Sequence, residues 1–296
     1  MLENAEPDIL KFQLPNMGGQ GTHEITCYRW GAKNPTRTVL CVHGLTRNGR
    51  DFDYLARELI QDEGVQVLAP DMPGRGKSQW LADPTGYSYP AYAGDIIELL
   101  AQAGVDKLQW VGTSMGGIIA MAFAAAQPGR IEALVLNDVG SIVSSVGLTR
   151  IMSYAGARPD FASLPEAQAA LRVLFAPFGI SSEEHWEHLF AHSIVPQENG
   201  RFTLAYDPAI TAALKTDGPI TDVDLSALFA ATLTIPVLLF RGLASDLLAR
   251  ETAVAMREQH PRLTLKEVPG AGHAPALMEQ SQVEGIRFWL QAQSVN

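Results

Sequence analysis

The chain has 296 residues, of which 47% are apolar and 18% charged. A chain of that length can bury about 75% of its unfolded surface without a disulfide or structural metal, and the composition excludes a disordered tail, a collagen-like repeat or a coiled coil. Twenty-two basic against 32 acidic residues leave a formal charge of −10, with no basic patch to attract nucleic acid or an anionic membrane.

Cys27 and Cys41 sit in apolar, strand-like runs (ITCYRW and TVLCVHG) and not at ligand spacing, which reads as two buried, reduced thiols. The first residues, MLENAEPDILKFQLPN, are acidic and lack the apolar stretch of a secretion signal. No apolar run approaches the ~20 residues of a membrane span, so a cytoplasmic protein is expected.

In chain order, a hairpin is expected around Met17–Gly21, followed by strands over His23–Trp30 and Thr38–Val42. Phe52, Leu55, Leu59 and Ile60 repeat at helical spacing within Asp51–Glu63. Val65–Ala69 reads as a strand that ends in PDMPGRGKS, and Tyr89–Ala103 reads as a helix closed by Gly104. Lys107–Val111 is a strand running into Gly112-Thr-Ser-Met-Gly116; a helix over Met115–Gln127 and a strand over Ile131–Asn137 follow. The alternation resumes with a strand at PVLLF, a helix over Arg250–Gln259, a strand over Leu263–Val268 and a helix over Gln280–Gln291. Between Gly140 and Leu233 the chain changes to helical pieces broken by prolines, without strand signals; this reads as a helical cap, because structureless loops that long are uncommon. The expected architecture is α/β: a mostly parallel sheet with helices on both faces (residues 1–139 and 234–296) and an inserted helical cap (residues 140–233).

LQWVGTSMGGIIAMAFA carries the chemistry, because G-x-S-x-G lies between a strand and a helix. Gly112 and Gly116 let the chain turn tightly enough to present Ser114. A serine hydroxyl needs a base and an orienting acid, in the chain order Ser, Asp, His. Asp246, after the strand PVLLF, and His273, after LTLKEV, both lie where a strand's carboxyl end opens into a loop. His273 is expected to take the Ser114 proton and Asp246 to orient the imidazole. Asp138, after EALVLN, reads as a loop-capping or structural carboxylate.

VLCVHGLTRN, PDMPGRGKS, GTSMGG, LVLNDVG, RGLASD and GAGHA occur in the order of the α/β-hydrolase family, which the chain resembles over its whole length apart from the cap. The resemblance implies backbone N–H donors to an oxyanion at Leu45 and Met115, and it makes Asp138 an alternative partner for the histidine. It also implies a cofactor-independent serine hydrolase of a small carboxylic ester, with a small-molecule substrate. Carbon–carbon bond hydrolases and acyltransferases share the triad, and a ligand receptor that keeps the triad without turnover is a reading of another class. The loop HGLTRNG lacks the glycine- and proline-rich character usual in the carbon–carbon hydrolases.

Several other residues invite a role. Asp71 reads as a turn residue and His43 as support for the oxyanion loop. PGRGKS resembles a phosphate loop, but the required first glycine is Asp71, so no nucleotide cofactor is inferred. His185, His188 and His192 share one face of a helix, yet such a set reads first as a solvated or partner-facing surface, and no metal is assigned. Arg47 and Trp186 are candidate pocket residues. Acyl length, leaving group and oligomeric state are not legible.

Overall fold

A computed structural model describes residues 5–17, 21–214 and 218–294. β1 (Asp8–Pro15) and β2 (Thr22–Gly31) pair antiparallel, with Pro15 opposite Thr22; residues 18–20 of the expected turn lie outside the described residues. β3 (Arg37–Val42), α1 (Asp53–Leu59), β4 (Val65–Pro70), α2 (Tyr89–Gln102), β5 (Leu108–Thr113), α3 (Met115–Ala126) and β6 (Ile131–Asn137) follow. α1 is shorter than its periodicity suggests, because the chain enters it through a 3-10 turn over Gly49–Phe52.

Between β6 and β11 (Val237–Gly242) lie α4 (Ser145–Ala155), α5 (Leu164–Leu174), α6 (Glu183–Ser193) and α7 (Ser226–Ala230). Two small antiparallel ribbons also form there, β7 (Ile142–Val143) with β10 (Val223–Asp224), and β8 (Ile194–Pro196) with β9 (Phe202–Leu204). The sequence does not announce them: pairs of two or three residues are too short for a period-2 signal. The chain closes with α8 (Arg250–Gln259), β12 (Leu263–Val268) and α9 (Gln280–Ala292).

Eight strands form one sheet in the order β1-β2-β4-β3-β5-β6-β11-β12, antiparallel at β1–β2 and β2–β4 and parallel from β4 to β12. Its middle strands are near-continuous apolar runs because both faces are covered. On one face Leu40, Val42, Trp110, Leu134, Leu136 and Leu239 pack with Ile96, Ile119 and Phe123 of α2 and α3. On the other, Val39, Cys41, Val111, Val135 and Phe240 pack with Leu55, Leu59, Ile286 and Leu290 of α1 and α9. Cys27 and Cys41 are free and buried. The segment between β6 and β11 adds Ile151, Leu171, Phe175, Trp186, Leu189 and Phe190 to the α2–α3 side. Among the described residues no helix is long and apolar enough to cross a membrane.

A parallel sheet brings the carboxyl ends of its strands to one edge. β3 therefore delivers His43-Gly44, β5 delivers Ser114, β6 delivers Asp138, and the loop after β12 delivers His273 to the same edge.

Candidate active site

Ser114 sits between β5 and α3 with φ +52° and ψ −113°, a left-handed backbone that a residue with a β-carbon adopts only under constraint, at a cost of about 1–3 kcal/mol. The constraint is close packing. A Cβ on Gly112 would lie 2.5 Å from the Gly116 carbonyl, and one on Gly116 would strike the Val42 carbonyl of β3. Both glycines are thus required for β5 to turn into α3 against its neighbour.

His273 Nε2 lies 2.9 Å from Ser114 Oγ, and Nδ1 lies 2.8 Å from Asp138 Oδ2. His273 is 7% exposed and Asp138 is fully buried. An ionised carboxylate can only accept, so Nδ1 carries the proton and Nε2 is left to accept from the serine hydroxyl. Asp138 has φ +57°, and its two oxygens are filled: Gly242 N–H donates to Oδ1 at 2.7 Å, and Ser245 Oγ donates to Oδ2 at 2.5 Å. The Leu247 and Leu248 N–H groups in turn donate to Ser245 Oγ at 3.3 and 3.0 Å.

This corrects the expected assignment of Asp246 as the histidine's partner. Arg150 of α4 takes Asp246 in a forked pair, Nε to Oδ2 at 2.6 Å and Nη2 to Oδ1 at 2.9 Å, and this hydrogen-bonded ion pair holds the Asp246 carboxyl below the usual range. The loop after β11 spends Ser245, not Asp246, on the catalytic edge. Sequence offers no means of ranking the two acids, since each follows a strand in the required order. The distinguishing residue, Arg150, lies about a hundred positions from Asp246 in the segment least predictable from sequence.

Leu45 and Met115 stand where the resemblance places the two oxyanion donors. Met115 opens α3, whose first N–H groups lack intrahelical acceptors, and Gly44 packs so close that a Cβ there would be 3.7 Å from Ser114 Cβ. The loop carrying Leu45 is held from beneath. His43 Nδ1 meets the Gly44 carbonyl at 2.7 Å, and Nε2 accepts from Met72 N–H at 2.9 Å, which fixes a neutral ring. Burial pushes its pKa down to about 3. Asp71 accepts from Gly49 N–H, Lys77 N–H and the Tyr28 hydroxyl at 2.7, 2.8 and 3.2 Å; burial raises its pKa to about 6.

The candidate pocket residues are engaged elsewhere. Arg47 is 4% exposed and gives Nε and Nη2 to Asp51 and Nη1 to Ser193 of α6, over the Phe175 ring, so it ties α6 to the oxyanion loop. Trp186 stacks on Phe190 beneath the Arg172 guanidinium, as part of the apolar packing between α5 and α6. The three histidines of α6 are turned toward α1 and not to open solvent. His185 and His188 meet the Tyr54 ring edge-on, and His188 Nε2 meets the Arg50 carbonyl at 2.8 Å. Asp53, His188 and His192 bring ligand atoms within 4.8 Å of one another, but Arg50 already holds both Asp53 oxygens, and a guanidinium there opposes a metal cation.

The buried neutral His43 has a consequence for stability. Its folded pKa is depressed, so its contribution is complete above pH 6.5 and is lost as pH falls toward 3, when the unfolded chain takes a proton that the folded one refuses. Asp71, raised to about 6, works in the opposite direction between pH 6 and 3.8. Comparing wild type with His43→Asn isolates the first effect. Urea unfolding at several pH values between 6 and 4 is expected to show the variant's stability gaining on wild type's by about 1.4 kcal/mol for each unit the pH falls, because Asp71 is common to both. Parallel curves would contradict a buried neutral His43.

The Alpha/beta hydrolase family matches residues 39–284. A 3-hydroxybutyrate-oligomer hydrolase from Cupriavidus necator is 37% identical over 269 residues, covering 89% of this chain and 91% of the relative. Among solved structures, a putative hydrolase from Rickettsia typhi superposes with a TM-score of 0.88 at 30% identity, covering 97% of this chain and 99% of that one. An alpha/beta hydrolase from Novosphingobium aromaticivorans does so with a TM-score of 0.85 at 35% identity and the same coverage. Matched over most of its length in sequence and in fold, with its serine at the strand-to-helix turn, the chain belongs to the alpha/beta hydrolase family.

Proposed function

We propose that the protein is a serine hydrolase of small carboxylic esters, working through Ser114, His273 and Asp138. The observation that carries this reading is the continuous hydrogen-bonded line from Ser114 Oγ through the His273 imidazole to the buried Asp138 carboxylate, at 2.9 and 2.8 Å. Ser114 Oγ attacks the ester carbonyl carbon as its proton passes to His273 Nε2, and the carbonyl π pair moves onto oxygen. The Leu45 and Met115 N–H groups receive that oxyanion. When the carbonyl reforms, the carbon–oxygen bond to the alcohol breaks and the alcohol leaves with the proton from Nε2. Water, deprotonated by the same nitrogen, then attacks the acyl-enzyme and releases the acid and Ser114. Asp138 stays ionised throughout and stabilises the imidazolium.

Residues 140–233 serve as the cap of this site. Its ties to the core surround the oxyanion loop: Arg47 to Ser193 Oγ at 2.8 Å, Asn48 Nδ2 to the His192 carbonyl at 2.7 Å, and Tyr87 hydroxyl to Asp207 at 2.7 Å. An apolar cavity of about 180 Å³, lined by Ile118, Val143, Leu148 and Met152 among others, begins one helical turn beyond Ser114 and suits a short acyl chain. The name of the Cupriavidus relative favours esters of short hydroxy acids, with the 3-hydroxybutyrate dimer as first candidate.

Intact-protein mass after exposure to a fluorophosphonate is expected to show one adduct in wild type and none in Ser114→Ala. Turnover of p-nitrophenyl esters is expected to peak at a short acyl chain, with the 3-hydroxybutyrate dimer also cleaved. An adduct without turnover of any ester would overturn the ester reading in favour of carbon–carbon cleavage, acyl transfer or ligand sensing.

The two acids separate cleanly. Asp138→Asn is expected to lower kcat on p-nitrophenyl butyrate by about 10⁴-fold, the loss typical when the orienting carboxylate is neutralised. Asp246→Asn should stay within about tenfold of wild type, its loss being an ion pair one-third exposed. The reverse ranking would restore Asp246 as the histidine's partner.

A further inference from the structure

Arg75, in the PGRGKS stretch left without a nucleotide to bind, is the one arginine among the largest fully buried side chains. Burying a guanidinium ordinarily demands a carboxylate partner. Among the described residues its contacts are instead neutral. Nε donates to the Leu45 carbonyl at 2.8 Å, Nη1 to the Pro73 carbonyl and the Tyr92 hydroxyl, both at 2.7 Å, and Nη2 points to Met115 Sδ at 3.4 Å. The Tyr87 and Tyr92 rings flank it, with centroids 5.7 and 5.1 Å from its Cζ. Asp207 is reached only through the Tyr87 hydroxyl, at 2.7 Å from that oxygen.

Leu45 and Met115 are the two residues assigned to receive the oxyanion, and one side chain touches both, Leu45 at its carbonyl oxygen and Met115 at its sulfur. The backbone on either side of Arg75 is pinned as well: Arg75 N–H donates to the Met72 carbonyl at 3.1 Å, and Gly76 N–H to the Ala205 carbonyl at 2.8 Å. The guanidinium therefore has little freedom to move. A fixed cation in a dry setting, in contact with the two residues whose amides are the donors, stabilises negative charge that develops there far more than it would in water.

We propose that Arg75 is a positioning residue for the oxyanion hole, clamping Leu45 and Met115 and supplying an unpaired buried positive charge to the tetrahedral intermediate. The inference rests on the proposed ester hydrolysis at Ser114. It gives the PGRGKS loop a part in catalysis that neither phosphate binding nor turn formation provides. It also accounts for the expense of burying an arginine without an acid.

The test compares wild type, Arg75→Met, Arg75→Lys and Tyr92→Phe, with active sites counted by fluorophosphonate labelling. The readouts are kcat and KM on p-nitrophenyl butyrate and the inhibition constant of butylboronic acid, whose serine adduct is a tetrahedral anion. Arg75→Met is expected to lose about 10²-fold in kcat with KM within about threefold, and to weaken boronate inhibition by a matching factor, as for removal of one oxyanion donor. Arg75→Lys, which keeps the charge, should recover about tenfold of that loss. A purely structural arginine would lower thermal stability and leave both quantities per active site unchanged. Either that outcome or a loss confined to KM would overturn the proposal. If Arg75→Met does not fold, Tyr92→Phe decides: removing one acceptor from Nη1 should lower kcat and boronate affinity together by a few-fold, and no change in either would overturn the proposal. Wild-type protein that neither cleaves the ester nor binds the boronate would fell the hydrolase reading itself.

Discussion

The Asp138 carboxyl lies at a place with no exposure to water, and much of this edge of the sheet is arranged to make that tolerable. A buried carboxylate is costly unless its lone pairs are filled, and here three donors from two different loops fill them: the Gly242 amide, the Ser245 hydroxyl and the His273 imidazole. Meeting all three fixes the loop after β11 and the loop after β12 against the end of β6. The same bond that satisfies Asp138 selects the His273 tautomer with Nε2 free toward Ser114. Ser114 and Asp138 both occupy left-handed backbone, strain that the surrounding parallel strands are rigid enough to hold.

A second set of buried polar groups supports the loop proposed to face the oxyanion. His43, Asp71 and Arg75 come from the loops after β3 and β4, all are fully buried, and each bonds to backbone groups. Backbone amides can serve as transition-state donors only if they do not have to reorganise, so the rigidity of this loop is part of the chemistry. α6 adds to it, Ser193 and the His192 carbonyl accepting from Arg47 and Asn48, at the seam where the histidines of α6 meet α1. Burial, reinforced by the Arg50 charge, pushes His192 down to about 3 and leaves that ring uncharged at neutral pH.

The sheet was legible because its signals are local. Runs such as TVLCV and IEALVLN are apolar throughout, as strands covered on both faces must be, and the helices between them keep a 3.6-residue spacing. The nucleophile was legible because Gly112 and Gly116 are required by contacts within a few residues and one neighbouring strand. His273 follows from the same strand-end logic. What failed depends on which neighbours a side chain meets in space, several of them far away in sequence. Choosing Asp138 over Asp246 needs Arg150 to claim one and Ser245 to claim the other. Arg47 reads as a pocket residue until Ser193 and Asp51 are placed beside it, and so does Trp186 until it is seen stacked on Phe190. Arg75 offered no signal at all, since nothing in PGRGKS says that its side chain is buried against Leu45.

The central claim is that the His273 Nδ1 proton is held by Asp138 and not by Asp246. Proton NMR of the far-downfield region at neutral pH observes such a proton directly, shielded from exchange by the burial of the ring. Wild type and Asp246→Asn are both predicted to show the resonance, and Asp138→Asn to lack it. A resonance that survives Asp138→Asn, or one that disappears in Asp246→Asn, would contradict the assignment.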